Sequence, residues 1–263
     1  MKLSVVIPSF RDPLLQKTIE SLLENSELGE NMEVIAVFDG YWPDPPLSFS
    51  EENNKRVIQL HLGKNRGMRG AINAGVSIAR GEFIMRTDEH CIFGKGFDRI
   101  LTESCQPNWI ITAKRFFLDP VAWAVMDIPP VEYEKLVIQS VHDGKKFTGF
   151  PVTRSDRDRV AIDETQAMQG SMWVMPRAWW NTVIKELQTE GYGPHLQDSH
   201  EMVFKTWRAG GKLMVNKNTW FAHKHVSFPR MHNYGGKEAE AAVKYSYDTW
   251  NEYYRQIKPT FTY

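Results

Sequence analysis

Residues 65–90, "NRGMRGAINAGVSIARGEFIMRTDEH", carry a helix, a strand and a knot of charge in that order. The segment from Gly67 reads as a helix closed by Gly81, and residues 82–90 as a strand running into Asp88, Glu89 and His90. Burying charge is costly unless it is paired or bound to a metal. The strand end is therefore either a metal site or a solvated exit into a loop. Asp88 and His90 are two residues apart, which on a strand puts both side chains on one face. A carboxylate oxygen and an imidazole nitrogen can then share one cation. Mixed oxygen and nitrogen ligation at an open site suits Mn2+ and tolerates Mg2+. Glu89 falls on the other face and is expected to be structural.

Upstream, "LSVVIP" reads as a buried strand closed by Pro8. "DPLLQKTIESLLENS" is a helix with Asp12 as N-cap, Pro13 at its first position, and Leu14, Leu15, Ile19, Leu22 and Leu23 at helical spacing. "MEVIAVFDG" is a second buried strand ending in Asp39-Gly40, and "RVIQLHL" a third. This alternation implies an α/β fold with a mixed, mostly parallel sheet flanked by helices. In such sheets ligands bind beyond the carboxyl ends of the strands. Phe10-Arg11, Asp39-Gly40 and Asp88-Glu89-His90 all sit at such ends.

Downstream, "GFDRILTESCQ" is expected to be a helix and "WIITAKRFF" a strand. Residues 118–165 read as loop-like mixtures. "QAMQGSMWVMPRAWWNTVIKEL" reads as strand, turn at Pro176 and helix, and "SHEMVFKTWRAGG" as an amphipathic helix with a glycine stop. "KLMVNKNTWFAHKH" is a last strand leading to His223 and His225, and the aromatic tail is helical up to Pro259.

The chain has 263 residues, enough for one large α/β domain. Lys+Arg and Asp+Glu number 32 each, and this neutrality argues against a generic polyanion binder. Cys91 and Cys105 form no CxxC pair, which argues against a disulfide framework. "MKLSVVIPSF" lacks a signal-peptide core, and no stretch reaches the roughly 18 apolar residues of a membrane span. A soluble, cytoplasmic protein is the expectation.

With these pieces in place, "SVVIPSFRD", "EVIAVFDG" and residues 65–90 resemble the family 2 nucleotide-sugar glycosyltransferases of the GT-A fold. The second half resembles more specifically the catalytic domain of the polypeptide N-acetylgalactosaminyltransferases. Asp88-Glu89-His90-Cys91 stands where that family has Asp-Ser-His-Cys. "MQGSMWVMPRAWW" matches its Gly-rich segment before an aromatic helix, and "DSHEMVFKTWRAGG" its Glu-Asn-x-Glu helix ending in Trp-x-x-Gly-Gly. The chain departs in carrying Asp198 for the first Glu of that helix. It also shows neither the linked lectin module nor the membrane anchor.

The resemblance implies a single domain over 1–263, with a nucleotide-binding half (1–93), an acceptor and sugar half (94–235) and a helical tail (236–263). It implies a UDP-sugar donor, transfer of a hexosyl or N-acetylhexosaminyl group, and a cation, Mn2+ or Mg2+, on Asp88, His90 and His223. Asp88 would also meet the donor diphosphate, and Arg69 would offset its charge. Asp39 would bind base or ribose, with Phe10 and Arg11 bordering the base; its plain alternative is a turn cap with Gly40. Gly170 would let backbone approach the sugar. Asp198 is the catalytic candidate, as base on the acceptor hydroxyl or as a donor-sugar ligand. Glu201 would assist it or cap the helix. Trp173 and Trp179 are sugar stackers or core. The Asp-x-His plus His pattern resembles the retaining group.

Three acceptors stay open: a peptide hydroxyl, a glycan or small molecule, and a hydroxymethylated pyrimidine in DNA. The last would draw on "TRSDRDR" and "KRFF" for phosphate contacts. A non-catalytic sugar-nucleotide binding module is the reading from another class. It would not need to keep a full metal triad.

Overall fold

The apolar runs read as buried strands are buried on both faces. In a computed structural model describing residues 1–142, 144–225 and 236–258, β1 (Leu3–Ser9) is followed by α1 (Leu15–Asn25) and β2 (Met32–Asp39). Every residue of β1 and β2 is buried. After the Pro-rich loop come α2 (Glu51–Asn54), β3 (Val57–Leu62), α3 (Gly67–Ile78) and β4 (Phe83–Thr87). Helix α3 stops before Gly81, because Arg80 N donates to Ser4 Oγ (3.1 Å) and Glu33 Oε1 (2.9 Å) and draws the chain out toward the sheet. Gly75 on α3 lies so close to β1 that an added Cβ would collide with Val6 Cγ1.

The second half continues with β5 (Cys91–Phe93), α4 (Phe97–Ser104), β6 (Trp109–Asp119), β7 (Ala124–Val125), β8 (Tyr133–Val141), β9 (Gly144–Val152) and β10 (Ile162–Glu164). Then come β11 (Met172–Pro176), α5 (Arg177–Trp179), α6 (Asp198–Arg208), β12 (Lys212–His223) and α7 (Lys237–Ile257). The expected stop at Pro259 and the boundary at residue 235 lie outside the described residues.

One sheet runs in the order β10-β12-β6-β11-β4-β1-β2-β3, with β5 pairing to β12 and β7 to β6. The pairs β4·β1, β1·β2, β2·β3 and β6·β12 are parallel, and β11 is antiparallel between β4 and β6. From β1 the chain steps one way to β2 and β3, and β4 lies on the other side. Such a reversal opens a crevice beyond the strand ends.

Two apolar layers cover the sheet. On one face α1 and α4 bring Leu15, Ile19, Leu22, Phe97 and Leu101 against Val5, Ile7, Val34 and Met85. On the other, α3, α6 and α7 bring Ile72, Val203, Phe204, Trp250 and Tyr254 against Val6, Ile35, Ile84 and Met175.

Residues 133–152, expected to be loop, form the antiparallel hairpin β8·β9. Its inward residues Leu136 and Phe147 join the layer with α7, and Tyr254 donates to Leu136 O (2.8 Å). Among the described residues, no helix is long and apolar enough to cross a membrane.

Candidate active site

Strand β4 ends at Thr87, so Asp88, Glu89 and His90 occupy a bend between β4 and β5. This corrects the expectation that Asp88 and His90 share a strand face. The bend is pinned from both sides. Asp88 N donates to Ser171 O (3.0 Å), and Thr18 Oγ1 donates to Glu89 O (2.7 Å) while accepting from Cys91 N (3.0 Å). Glu89 is structural in its contacts: Oε1 accepts from Phe10 N (2.6 Å), tying the end of β1 to the bend.

Antiparallel pairing of β5 with β12 places His223 opposite Cys91, next to the bend. Ligand atoms of Asp88, His90 and His223 then all lie within 4.8 Å of one another. Two of these side chains have visible supports. His90 Nδ1 is 2.8 Å from Asp12 Oδ2, so a cation would be met by Nε2. Asp88 Oδ1 accepts from Arg86 Nη2 (2.6 Å), which turns Oδ2 toward His223. His223 Nε2 approaches that Oδ2 to 3.0 Å without hydrogen-bond alignment, and neither ring nitrogen has a partner among the described residues. Buried polar atoms are seldom left unpaired. Lone pairs that converge without bonding one another fit a divalent cation, and the donor set of one carboxylate and two imidazoles fits Mn2+.

Electrostatics follow the same geometry. Burial opposes the charge on Asp88, but Arg86, then His223 and His90, outweigh it and hold the carboxyl below its usual range. Burial likewise opposes protonation of His90, yet Asp12, Asp88 and Glu89 raise its pKa. Burial prevails at His223, whose pKa is lowered, which favours the neutral imidazole that a metal requires.

The bend opens onto a cleft of about 400 Å3 between the ends of β1, β2 and β4, lined by Phe10, Asp39, Arg86, Asp88, Glu89 and His195 among others. At its far end Asp39 Oδ1 accepts from Arg66 N (2.6 Å) and its carbonyl from Asn65 Nδ2 (3.1 Å). Gly40, at φ +75°, lets the chain pass against Asn65. Phe10 meets Tyr41 edge-on at 5.8 Å, and exposed Arg11 lies over the Phe10 ring at 5.4 Å. Exposed Trp42 stacks on His61 at 3.7 Å.

Asp198 opens α6 and is buried, with Oδ2 lacking a partner among the described residues. It faces Gly170, where an added Cβ would stand 3.0 Å from that oxygen. The two residues that the resemblance singled out are thus neighbours.

Four of the side chains considered for the site do not line this cleft. Arg69 does not line the cleft. It is fully buried, donates to Leu196 O (2.9 Å from Nε) and Gln188 O (2.9 Å), pairs with Glu201 and stacks on Tyr192 at 4.3 Å. Both Glu201 carboxylate oxygens are engaged, by Arg69, Lys205 (2.6 Å) and Gln188 N (3.2 Å), at zero exposure, which is the geometry of a structural ion pair. Of the two readings left open for the tryptophans, core packing fits: Trp173 is fully buried and stacks on Trp180 at 5.8 Å, and partly buried Trp179 packs against the core with Nε1 donating to Thr206 Oγ1 (3.3 Å). Glu201→Gln would leave Arg69 buried without its counter-charge. It should lower stability by about 3–5 kcal/mol, read by denaturant unfolding; an unchanged midpoint would refute the structural role.

His225 lies beyond β12, bonded to Arg115 and 3.2 Å from Gln169 Nε2. Asp12 was read from the sequence only as a helix cap, and Arg86 and His195 were given no role. Arg86 stood in the charged cluster itself, and only His195 had no signal.

Residues 4–181 match the family model for glycosyl transferase family 2. The chain belongs to glycosyl transferase family 2. This family 2 glycosyltransferase is similar to a putative polypeptide N-acetylgalactosaminyltransferase 13 of Drosophila melanogaster, 23% identical over 77% of the chain and 37% of the relative. It is also similar to the uncharacterized glycosyltransferase EpsJ of Bacillus subtilis, 29% identical over 40% of the chain and 30% of the relative. The family 2 chain thus spans less than half the length of these curated relatives. Among solved structures it superposes on GalNAc-T7 with UDP, GalNAc and Mn2+ at a TM-score of 0.72 and 15% identity, covering 97% of the chain and half of the other. Staphylococcus aureus TarS, residues 1–349, superposes at 0.59 and 12% identity over 98% of the chain and 74% of the other. These likenesses establish a GT-A-like glycosyltransferase fold.

Proposed function

We propose that this glycosyltransferase moves a hexosyl or N-acetylhexosaminyl group from a UDP-sugar to an acceptor hydroxyl, using a divalent cation and retaining anomeric configuration. The observation that carries the reading is the convergence of Asp88, His90 and His223 at the mouth of a cleft whose far end holds Asp39. It is supported by the superposition on a transferase crystallised with UDP, GalNAc and Mn2+.

In this reading residues 1–93 bind the nucleotide and residues 94–235 the sugar and acceptor. Asp39 accepts a hydrogen bond from the base or ribose, beside Phe10 and Arg11. Asp88, His90 and His223 hold the cation. When bound, the cation neutralises charge that develops on the departing diphosphate. Gly170 admits the sugar, and Asp198 contacts the sugar or the acceptor hydroxyl. With retention, the leaving diphosphate itself assists the incoming hydroxyl.

Asp39→Ala should weaken UDP binding by about 1.5–3 kcal/mol, roughly 10- to 100-fold, with a smaller effect on turnover. Titration calorimetry of the folded variant checks this; unchanged UDP affinity would overturn the assignment.

Three of the basic side chains suggested for DNA contact have internal partners: buried Arg115 pairs with Glu134 (3.0 Å), Lys114 with Glu132 (3.1 Å) and Arg157 with Asp163 (2.7 Å), while Arg159 is exposed. That favours a peptide, glycan or small molecule over a modified pyrimidine. The deciding experiment incubates the protein with Mn2+ and a panel of UDP-sugars, with and without each acceptor class, hydroxymethylated DNA included. Acceptor-stimulated UDP release is expected from one donor. UDP binding without release from any of them would favour the non-catalytic module.

A further inference from the structure

Asp12 is more than the helix-capping residue its sequence position suggests. Its two carboxylate oxygens do different work. Oδ1 accepts from Leu14 N (2.8 Å) and holds the turn into α1. Oδ2 lies 2.8 Å from His90 Nδ1, across 78 positions of sequence. The Asp12 side chain has no exposure and that of His90 only 7%, so the contact is sheltered from water. Thr18, one turn further along α1, holds the same bend by its backbone at Glu89 and Cys91 but does not touch the imidazole.

We propose that Asp12 is a positioning residue for the cation site: it accepts the Nδ1 proton of His90, fixes the ring in that tautomer, and so presents the Nε2 lone pair to the metal. The inference rests on the cation-binding role of Asp88, His90 and His223 given above. A carboxylate on the remote nitrogen of a ligating histidine sets the tautomer and raises ligand basicity, and its loss typically costs 10- to 100-fold in metal affinity. The exit of β1 thereby becomes part of the cation site.

Asp12→Asn is the discriminating variant. Its amide oxygen can still accept from Leu14 N. Its amide nitrogen then donates toward His90 Nδ1 and drives the proton to Nε2, which removes the lone pair that the cation needs. Thr18→Ala serves as the control that loosens the bend without touching the ring. Two readouts are taken on the full chain: Mn2+ affinity by titration calorimetry, and the His90 tautomer by long-range 15N–1H correlation in metal-free protein at alkaline pH. Wild type is expected to bind one Mn2+ and to show Nδ1–H. Asp12→Asn should switch the proton to Nε2 and lose about 10- to 100-fold in Mn2+ affinity. Thr18→Ala should keep the wild-type tautomer. Wild-type affinity or an unswitched tautomer in folded Asp12→Asn overturns the positioning role alone. Should Asp12→Asn fail to fold, a wild-type His90 carrying its proton on Nε2 overturns it equally. Wild type that binds no Mn2+ overturns the cation site itself and the inference with it.

Discussion

His223→Ala is expected to lower turnover by roughly 10³-fold in a protein that still folds. His223 ends β12, is buried, and packs its ring on His90 at 4.9 Å. Truncation to alanine removes the proposed ligand, and a thermal melt checks that the variant stays folded. A cation that neutralises the departing diphosphate is worth several kcal/mol of transition-state stabilisation. Losing about 4 kcal/mol corresponds to a fall of roughly 10³-fold in turnover. Excess chelator should bring the wild type down to a similar level, and added Mn2+ should restore it. Full turnover in the variant, or in wild type with chelator, would show that transfer proceeds without this cation.

Asp198→Asn lowers turnover by about 10²-fold or more while Mn2+ and UDP affinity stay near those of wild type. Its Oδ2 has no hydrogen-bond partner among the described residues and faces Gly170, the position proposed to admit the donor sugar. Asparagine keeps the shape and removes the charge. If the substitution abolishes Mn2+ binding, Asp198 is a metal ligand and the assignment is wrong. If turnover is unchanged, Asp198 is a helix-terminal carboxylate only. The anomeric configuration of the product, read by NMR, adds a second constraint, since inversion demands a protein base and retention does not.

The first half of the chain was legible because its information is local. Apolar runs closed by Pro8 and by Asp39-Gly40 mark β1 and β2, and the three polar strand ends do meet at one cleft. What the sequence hid is long-range. Asp12 reads as the N-cap, yet α1 begins at Leu15; one Asp12 oxygen bonds Leu14 N in the turn before the helix, and the other lies against His90 Nδ1. Arg69 and Glu201 looked like site residues because each opens a helix near a motif. Only the folded chain shows that they neutralise each other across 132 residues. The hairpin β8·β9 escaped because charged and polar residues interrupt its alternation, and its inward positions Leu136 and Phe147 have meaning only against α7. Trp173 and Trp179 illustrate the converse. An aromatic near a glycine-rich segment suggests sugar stacking, yet both belong to the core.

Anomalous diffraction from crystals grown with UDP and Mn2+ tests the central claim most directly. The account predicts a single manganese peak in the cleft, contacted by Asp88 Oδ2, His90 Nε2 and His223, with the diphosphate against it and Asp198 outside its coordination shell. A manganese peak away from these three side chains, or one ligated by Asp198, would contradict it.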